Sequence, residues 1–310
     1  EQYPASSRSG SIQMATKSVE TVVSLLTESL QFTTPPAIYR RSALDMLDDN
    51  YDLIITDPPY YDQIPYSDTL DFFHMQIQRV SGELSGLYEE VFADDLTPKW
   101  DEETNEKELI DDANRHGGDK HKSKNEYENG MYQAFKSMHN SLKDNGRLVV
   151  VFAHKDPTAW ETLVSALVRA GFQTTAALPI RTEKANKISS GIRAFLSTSV
   201  WLVLKKRDSM AEYAFDREVF DSIENNINEK LRRFWDAGIR GPDFLWAALG
   251  PGLEVFSQYE VVRKFDSSDG EELVSVGDFL NRVRDIVLRF SIGRLLIDFE
   301  TGEAEVGQID

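Results

Sequence analysis

The feature that most constrains the fold is a short apolar run that stops abruptly. Residues 51–56 read YDLIIT, and Asp57-Pro58-Pro59-Tyr60 follows directly. An apolar run of this length that ends at prolines is typical of a buried strand in a parallel sheet. Open α/β sheets bind their ligands outside the carboxyl ends of such strands. The tetrapeptide is therefore the first candidate for a functional site.

Strand and helix patterns alternate along the chain as far as about residue 207. Some segments have apolar residues at helical spacing, and short apolar runs bounded by turn residues lie between them. This alternation predicts an α/β layer structure with a mostly parallel sheet. The expected helices cover about 19–30, 68–80, 126–142 and 160–170, the expected strands cover 38–43, 51–56, 147–153, 172–180 and 198–206, and a turn is expected at 143–146.

The pattern changes along the chain suggest three parts. Residues 1–34 form an N-terminal segment with one helix, and residues 35–207 form the core. Within the core, about 81–125 is acidic and poor in apolar residues, so we interpret it as an insertion. Residues 208–310 have mainly helical patterns broken by glycines, which indicates a mainly helical C-terminal unit.

Composition excludes several classes of site. The chain has no cysteine, which rules out disulfides, thiolate metal sites and a cysteine nucleophile within it. The histidines lack the spacing of metal ligands, and we expect no metal site. No apolar run is long enough to span a bilayer, and the first residues lack the features of a signal peptide. We therefore expect a cytoplasmic protein with no membrane partner.

The net charge of −18 is unusual for a protein that binds polyphosphate, because such binding draws on clustered lysine and arginine. A local basic surface is sufficient, however, and acidic excess elsewhere affects mainly solubility and steering. Ordinary solvated surface charge is the alternative interpretation of each basic cluster. The clusters are Lys120 with Lys122 and Lys124, Arg181 with Lys184 and Lys187, and Lys205 with Lys206 and Arg207.

The tetrapeptide suits chemistry at an amine attached to a nucleobase. Such an amine is a poor nucleophile because its lone pair is delocalised into the ring. The Asp57 carboxylate and the Pro58 carbonyl, which the two prolines hold rigidly, can each accept an N–H hydrogen bond from it. These bonds favour a tetrahedral nitrogen whose lone pair points at a sulfonium methyl group. Tyr60 offers a flat face for a base rotated out of its helix.

At these residues the chain resembles the amino-methyltransferases of DNA, whose signature is (D/N/S)PP(Y/F). The longer string TDPPYYDQIPYSDTLDFF at 56–73 looks like that of a family of bacterial and archaeal adenine-specific DNA methylases. Longer members of that family carry an N-terminal domain of unassigned function and a zinc ribbon. Similar pieces occur in order over nearly the whole chain: Arg115-His116-Gly117-Gly118, VVVFAHK at 149–155, Ala159-Trp160, PIRTE at 179–183, FWDAGIRGPD at 234–243 and AALGPGLEVFSQY at 247–259.

The resemblance implies a Rossmann-like enzyme that transfers a methyl group from S-adenosylmethionine to N6 of a flipped adenine in DNA. It implies a catalytic role for Asp57, Pro58, Pro59 and Tyr60. Ordinary core packing, a loop turn or a salt bridge is the alternative role for several further candidates. The expected cofactor contacts are Asp57, Thr56 and Ser42, and the expected substrate contacts are Tyr60, Tyr61, Tyr66, Arg115, His116 and Arg181.

The chain departs from the family pattern at two points. Family members bind the cofactor through a glycine-rich loop upstream of the DPPY strand, and no such loop is present here. Gly250-Pro251-Gly252 is the nearest string, but no strand precedes it, and a cap or turn role is the alternative. We therefore expect an N-terminal portion or a second subunit to supply the loop. At Ser42, relatives commonly have an acidic residue, which puts adenosine recognition there in doubt.

Other functions remain open on the sequence. N4 of cytosine is the nearest alternative target, although Asp rather than Ser before the prolines favours adenine by the habit of the family. An amino group of RNA or a glutamine of a protein is a more distant one. A chain without the cofactor loop is also consistent with a non-catalytic DNA-binding subunit, but such a subunit has no physical reason to retain an intact DPPY.

Overall fold

The computed structural model describes residues 12–30, 37, 42–45, 50–62, 65–81, 100–101, 106–154, 156–181, 198–208, 213–239, 241–266 and 272–301. The chain divides into two compact units, Glu1–Arg41 and Ser42–Asp310. Apart from Ala37, the described part of the first unit is helix α1 (Ile12–Leu30), which begins before the predicted start at about residue 19. Its apolar side chains Val19, Val22 and Val23 are each more than half exposed.

The second unit contains a sheet, several helices and two short strand pairs. Its long helices and strands occur close to where the sequence predicts them. In chain order the elements are β1 (Tyr51–Thr56), α2 (Tyr66–Ser81), β2 (Trp100–Asp101), β3 (Glu106–Lys107), a 3₁₀ helix (Ala113–His116), α3 (Lys120–Ser141), β4 (Leu142–Phe152), α4 (Pro157–Ala170), β5 (Phe172–Arg181), β6 (Thr198–Lys206), β7 (Ala214–Phe215), α5 (Asp216–Asp236), α6 (Gly241–Phe256), β8 (Val262–Arg263) and α7 (Val276–Thr301).

The main sheet has four strands in the order β1-β4-β6-β5. β1 and β4 are parallel, whereas β6 runs antiparallel to both β4 and β5. The α/β class is confirmed, but the prediction of a mostly parallel sheet was wrong. The sequence shows no helix pattern between β5 and β6, and parallel neighbours need a crossover connection that is usually helical. Without one, the second strand returns in the opposite direction.

Two local predictions also need correction. The turn expected at 143–146 is part of β4, where it forms a bulge. Tyr51 pairs with Leu142 and Leu53 with Arg147, so residues 143–146 lie opposite Asp52 alone. Most of the strand expected at 38–43 lies outside the described residues. Its last two residues, Ser42 and Ala43, belong to a turn.

One face of the sheet is covered by helices and carries the core. Trp160 of α4 packs edge-on against Phe152 of β4, with ring centroids 4.9 Å apart. α6 approaches β5 so closely that a Cβ added at Gly250 would lie 2.2 Å from the Cβ of Ala177. This contact requires glycine. The buried strand residues that share this face include Ile54, Leu148, Val150, Phe152, Val200, Leu202 and Leu204.

The opposite face of the sheet is more open. Side chains alternate along a strand, so Leu53 and Ile55 point away from buried Ile54; they are 52% and 61% exposed. Leu178 of β5, which pairs with Trp201 on this same face, is 51% exposed. Among the described strands, β1 also forms the edge of the sheet. Strands with apolar residues on both faces are typical of sheets covered on both sides.

The C-terminal part of the second unit consists mainly of helices α5, α6 and α7. Val219, Ile223, Ile227 and Leu231 recur at helical spacing on α5 and are buried. β7 and β8 form a short parallel pair beside them. Within the described ranges, no helix has both the length and the apolar character needed to cross a bilayer.

Candidate active site

The tetrapeptide lies at the carboxyl end of β1, beside the carboxyl end of the parallel strand β4. Thr56, the last residue of β1, pairs with Val150 of β4. Asp57 is exposed, Pro58 is buried, and the next two residues are partly buried. The Asp57 carboxylate is therefore accessible to solvent, while the backbone behind it is anchored in the core.

Tyr60 lies beside the Asp57 carboxylate. Its hydroxyl interacts with Asp57, and its ring packs edge-on against Phe152, with centroids 5.3 Å apart. Burial raises the pKa of Tyr60, and the hydrogen bond to Asp57 and the negative charge of Asp57 raise it further. The hydroxyl thus stays protonated at neutral pH and remains a hydrogen-bond donor.

Tyr127 of α3 fastens the loop from the core side. Its hydroxyl donates to the Pro59 carbonyl at 2.8 Å and accepts from the Tyr61 N–H at 3.1 Å. The side chain is only 2% exposed. Sequence reasoning missed this residue, because nothing in the pattern of α3 distinguishes it from an ordinary core aromatic.

Tyr61 has a left-handed backbone, with φ of 53°. This conformation costs a non-glycine residue about 1–2 kcal/mol, and neighbouring bonds hold it. The Tyr61 carbonyl accepts from the Asp111 N–H at 3.1 Å, and its hydroxyl interacts with the Asp111 carboxylate. Burial, followed by this bond and the charge of Asp111, raises the pKa of Tyr61. Tyr61 was predicted to contact substrate, but its buried ring supports the loop.

His154 lies just beyond the end of β4, and its ring packs near Tyr61 at a centroid distance of 6.0 Å. Its Nδ1 accepts a hydrogen bond from the Asp156 N–H at 3.0 Å, so the proton of the neutral ring is on Nε2. Nε2 is buried without a hydrogen-bond partner and lies 3.5 Å from Oδ1 of Asp62. The string VVVFAHK contains this histidine, and its position after a strand is the signal that points to the site.

Arg115 joins the 3₁₀ helix to the start of α2. Its Nη1 lies 2.7 Å from Oε2 of Glu108, and its Nη2 donates to the Ser67 hydroxyl at 3.0 Å. The Arg115 and Glu108 side chains are only 9% and 13% exposed. This arginine was predicted to contact the substrate, and the structure engages it in a buried ion pair. Tyr66, next to Ser67, keeps 45% of its surface exposed.

The other predicted site residues are less closely joined to the tetrapeptide. Ser42 accepts, through its carbonyl, a hydrogen bond from the Asp45 N–H at 3.1 Å, which closes a turn. His116 ends the 3₁₀ helix, and its Nδ1 is buried without a hydrogen-bond partner. Arg181 ends β5, and its side chain lies outside the described part of the chain.

Glu108 is expected to make stability depend on acidity. Burial alone raises the pKa of Glu108, but hydrogen bonds from Ser67 and Arg115 outweigh burial, so the folded pKa is lowered. A carboxyl group of this kind stabilises the fold above its unfolded pKa of about 4.3. That stability is lost as the pH falls through the lower, folded pKa.

We therefore expect Glu108→Gln to reduce the free energy of unfolding by about 1–3 kcal/mol at pH 7, with the difference shrinking below about pH 4. Urea denaturation between pH 3 and 7 measures it. Glu229→Gln, at an exposed position of α5, is the matched control and should follow the wild type throughout. A constant difference between Glu108→Gln and wild type at every pH contradicts the assignment.

The three basic clusters differ in their exposure to solvent and in their contacts. The cluster that opens α3 is exposed, apart from Lys124, which lies 3.7 Å from Glu128. Arg207 of the third cluster donates to the carbonyls of Val168 and Tyr259, and thereby braces the end of α4. The second cluster lies outside the described residues, apart from the backbone of Arg181. Among the described residues of these clusters, those at the start of α3 are the most open to solvent.

The two glycines of the Gly250-Pro251-Gly252 string contribute to helix packing. Gly250 and Gly252 lie inside α6 rather than in a loop after a strand. A Cβ at Gly252 would lie 3.0 Å from Val283 and 3.1 Å from ring atoms of Phe279, so this glycine is also closely packed. Two cavities beside α4 and α7 measure about 110 and 30 Å³. They are smaller than the roughly 300 Å³ at which ligand pockets begin.

Comparison with known proteins finds no match, so any proposed function rests on the site itself. No family model, curated protein or solved structure matches the chain. Among the described residues, no group of three or more histidine, aspartate and glutamate side chains could hold a metal ion. The chemistry at the end of β1 is that of carboxylate and carbonyl acceptors held by tyrosines.

Proposed function

We propose that this chain is the catalytic portion of an S-adenosylmethionine-dependent DNA methyltransferase that acts on N6 of adenine. One observation supports this most strongly: two acceptors adjacent in sequence lie at the carboxyl end of a strand. Asp57 is exposed and interacts with the Tyr60 hydroxyl. No described residue donates a hydrogen bond to the Pro58 carbonyl. A planar amine has two N–H groups, and two acceptors match it.

The acceptors act by localising the lone pair of the amine. One N–H bonds to the Asp57 carboxylate and the other to the Pro58 carbonyl, which favours a tetrahedral nitrogen. S-adenosylmethionine, when bound, supplies an electrophilic methyl group. The lone pair of the nitrogen would bond to this methyl carbon as the carbon–sulfur bond breaks, the sulfur would keep the bonding pair and leave as S-adenosylhomocysteine, and the nitrogen would then carry one proton too many. The Asp57 carboxylate accepts that proton and passes it to solvent.

The remaining residues are assigned to holding DNA. The partly exposed ring of Tyr60 stacks on the flipped base, and Tyr66 extends the aromatic surface. The basic start of α3 binds the phosphate backbone, while His116 and Arg181 contact the target strand. We assign the sheet to a Rossmann-like fold and the enzyme to the cytoplasm, where bacterial and archaeal DNA is found.

The described residues fit one part of a cofactor site. Asp57 and Thr56 lie at the strand end where the cofactor is expected, and Ser42 would be the adenosine contact. The described residues contain no glycine-rich loop whose backbone could approach the methionine part of the cofactor. The candidate glycines, Gly250 and Gly252, pack inside α6 instead. We therefore propose that an N-terminal portion or a second subunit supplies this loop.

The open face of the sheet supports such a partner. Leu53 and Ile55 leave apolar surface exposed on a strand that forms the edge of the described sheet. Burying such surface is favourable by about 25 cal/mol for each Å². Further strands beside β1, with helices over this face, would cover it and would bring a loop to the end of β1.

Single cysteines test this arrangement, because the chain has none of its own. The partner used here is the polypeptide encoded immediately upstream of this chain, called the upstream-encoded polypeptide. When it is joined or added, we expect Ile55→Cys and Leu178→Cys to react with a maleimide at least about tenfold more slowly, because the reagent cannot reach buried thiols. Ile292→Cys, at a position 58% exposed on α7, is the control and should keep its rate. Unchanged rates at both sheet positions contradict a covering layer.

Transfer of an isotope-labelled methyl group tests the function. DNA, RNA and a glutamine-containing peptide are offered in parallel to the chain together with the upstream-encoded polypeptide. Label in DNA alone supports the proposal, and label in RNA or peptide assigns another substrate. Calorimetric titration with S-adenosylmethionine tests the non-catalytic alternative: no binding by the chain, alone or with the upstream polypeptide, favours a DNA-binding scaffold.

A further inference from the structure

We infer that Tyr127 is a positioning residue for the proposed methyl transfer: by holding the Pro59 carbonyl it fixes the direction of the Pro58 carbonyl. The inference rests on the proposed function, and it assigns a role to a residue that the sequence did not single out. Tyr127 lies on α3, in the core, and does not itself accept the amine.

The geometry of two consecutive prolines explains how this works. Each peptide unit is planar, so only two backbone torsions, φ and ψ of Pro59, separate the Pro58 carbonyl from the Pro59 carbonyl. The proline ring fixes φ near −65°, which leaves ψ as the single soft torsion. The Pro59 carbonyl accepts from the Tyr127 hydroxyl at 2.8 Å and from the Tyr61 N–H at 3.1 Å, and the bond from Tyr127 fixes ψ relative to α3. The Pro58 carbonyl is then locked relative to α3.

The same hydroxyl also stabilises the strained residue that follows. It accepts from the Tyr61 N–H at 3.1 Å, where the backbone has a φ of 53°. A left-handed tyrosine persists only where its surroundings hold it. One hydroxyl therefore ties both ends of the Pro59–Tyr61 turn to α3. Burial raises the pKa of Tyr127, which keeps the hydroxyl protonated and able to donate.

Tyr132 also lies on α3, but its contact is of a different kind from the hydrogen bonds of the Tyr127 hydroxyl. Its ring lies under the Arg169 guanidinium, 4.5 Å from the ring centroid, and the contact uses the aromatic face rather than the hydroxyl. Replacing this tyrosine with phenylalanine retains the face. Tyr132→Phe is thus a matched control on the same helix.

Tyr127→Phe removes the hydroxyl and keeps the ring in the core. With the chain joined to its upstream-encoded polypeptide, we expect kcat for methyl transfer to fall about 10- to 100-fold, because a small misplacement of a reacting group costs this much. KM for DNA should change less than about threefold, since no contact to DNA is lost. Tyr132→Phe should retain kcat within about twofold. Incorporation of 4-aminophenylalanine at 127 restores a donor and should recover most of kcat.

Amide hydrogen exchange gives a readout that needs no activity. In Tyr127→Phe the Tyr61 N–H loses one of its two acceptors and keeps the Pro59 carbonyl at 3.1 Å. It should exchange about tenfold faster, with no change in Tyr132→Phe. Unchanged kcat and unchanged Tyr61 exchange overturn the inference, as does a loss of kcat that 4-aminophenylalanine fails to recover. If the wild type transfers no methyl group, the proposed function fails, and faster Tyr61 exchange still assigns Tyr127 the positioning of this turn.

Discussion

Asp57→Ala is expected to lower kcat for methyl transfer by about a hundred- to a thousandfold, because it removes one of the two acceptors that localise the lone pair. The side chain is exposed and its partner is Tyr60, so folding should be nearly unaffected. Steady-state kinetics with labelled S-adenosylmethionine and unmodified DNA measure the loss.

Asp52→Ala is the matched control for this change. Asp52 also belongs to β1 and is exposed, but its carboxylate pairs with Lys143 at 2.7 Å, far along the strand from the tetrapeptide. An exposed pair contributes at most about 1 kcal/mol, and kcat should stay within about twofold of wild type. Equal activity of Asp57→Ala and Asp52→Ala contradicts a catalytic carboxylate at the end of β1.

Phe152→Ala is expected to destabilise the fold by about 3–5 kcal/mol, as truncation of a fully buried aromatic does. Phe152 is completely buried, and it contacts both Trp160 and Tyr60, with centroids 4.9 and 5.3 Å from its own. The cavity would therefore open between the core and the candidate site. The urea midpoint at an unchanged m value reports the loss of stability.

Leu53→Ala provides the comparison for Phe152→Ala. Leu53 lies on the neighbouring strand but is 52% exposed, so its truncation should cost less than about 1 kcal/mol in the chain alone. If Leu53→Ala loses as much stability as Phe152→Ala, the face of the sheet that carries Leu53 is covered in the chain alone. The assignment of the core to the opposite face is then wrong. Lower activity of Phe152→Ala is also expected, because Tyr60 loses the ring that supports it.

The α/β class and most elements were predictable from the sequence, because they follow from local periodicity and turn residues. α4 is an example: Pro157 begins it, and Gly171, with φ of 96°, ends it in the left-handed conformation that favours glycine. The prediction for β6 was wrong because the alternation of strands and helices earlier in the chain was extended to this strand. The signal that points to the reversal is the absence of a helix pattern between β5 and β6, since a parallel neighbour needs a crossover connection.

The sequence predicted the residues of the candidate site at the strand end, but it did not predict the residues that support them. A DPPY string after an apolar run predicts a strand-end site, and Asp57 and Tyr60 lie there. Tyr127 is 66 residues from Tyr61 along the chain, and a contact at that distance leaves no local signal. Arg115 looked like a ligand contact because it is charged and lies in a loop, yet Glu108 holds it in a buried pair.

The identity of the methylated nucleoside tests the central claim most directly. The chain, joined to its upstream-encoded polypeptide, is incubated with unmodified DNA and S-adenosylmethionine carrying a deuterated methyl group, and the DNA is digested to nucleosides and resolved by mass. We predict deuterated N6-methyldeoxyadenosine with the wild type and almost none with Asp57→Ala. Label on a ring carbon such as C5 of cytosine, or no label in any nucleoside, would contradict amine methylation by the acceptors at the end of β1.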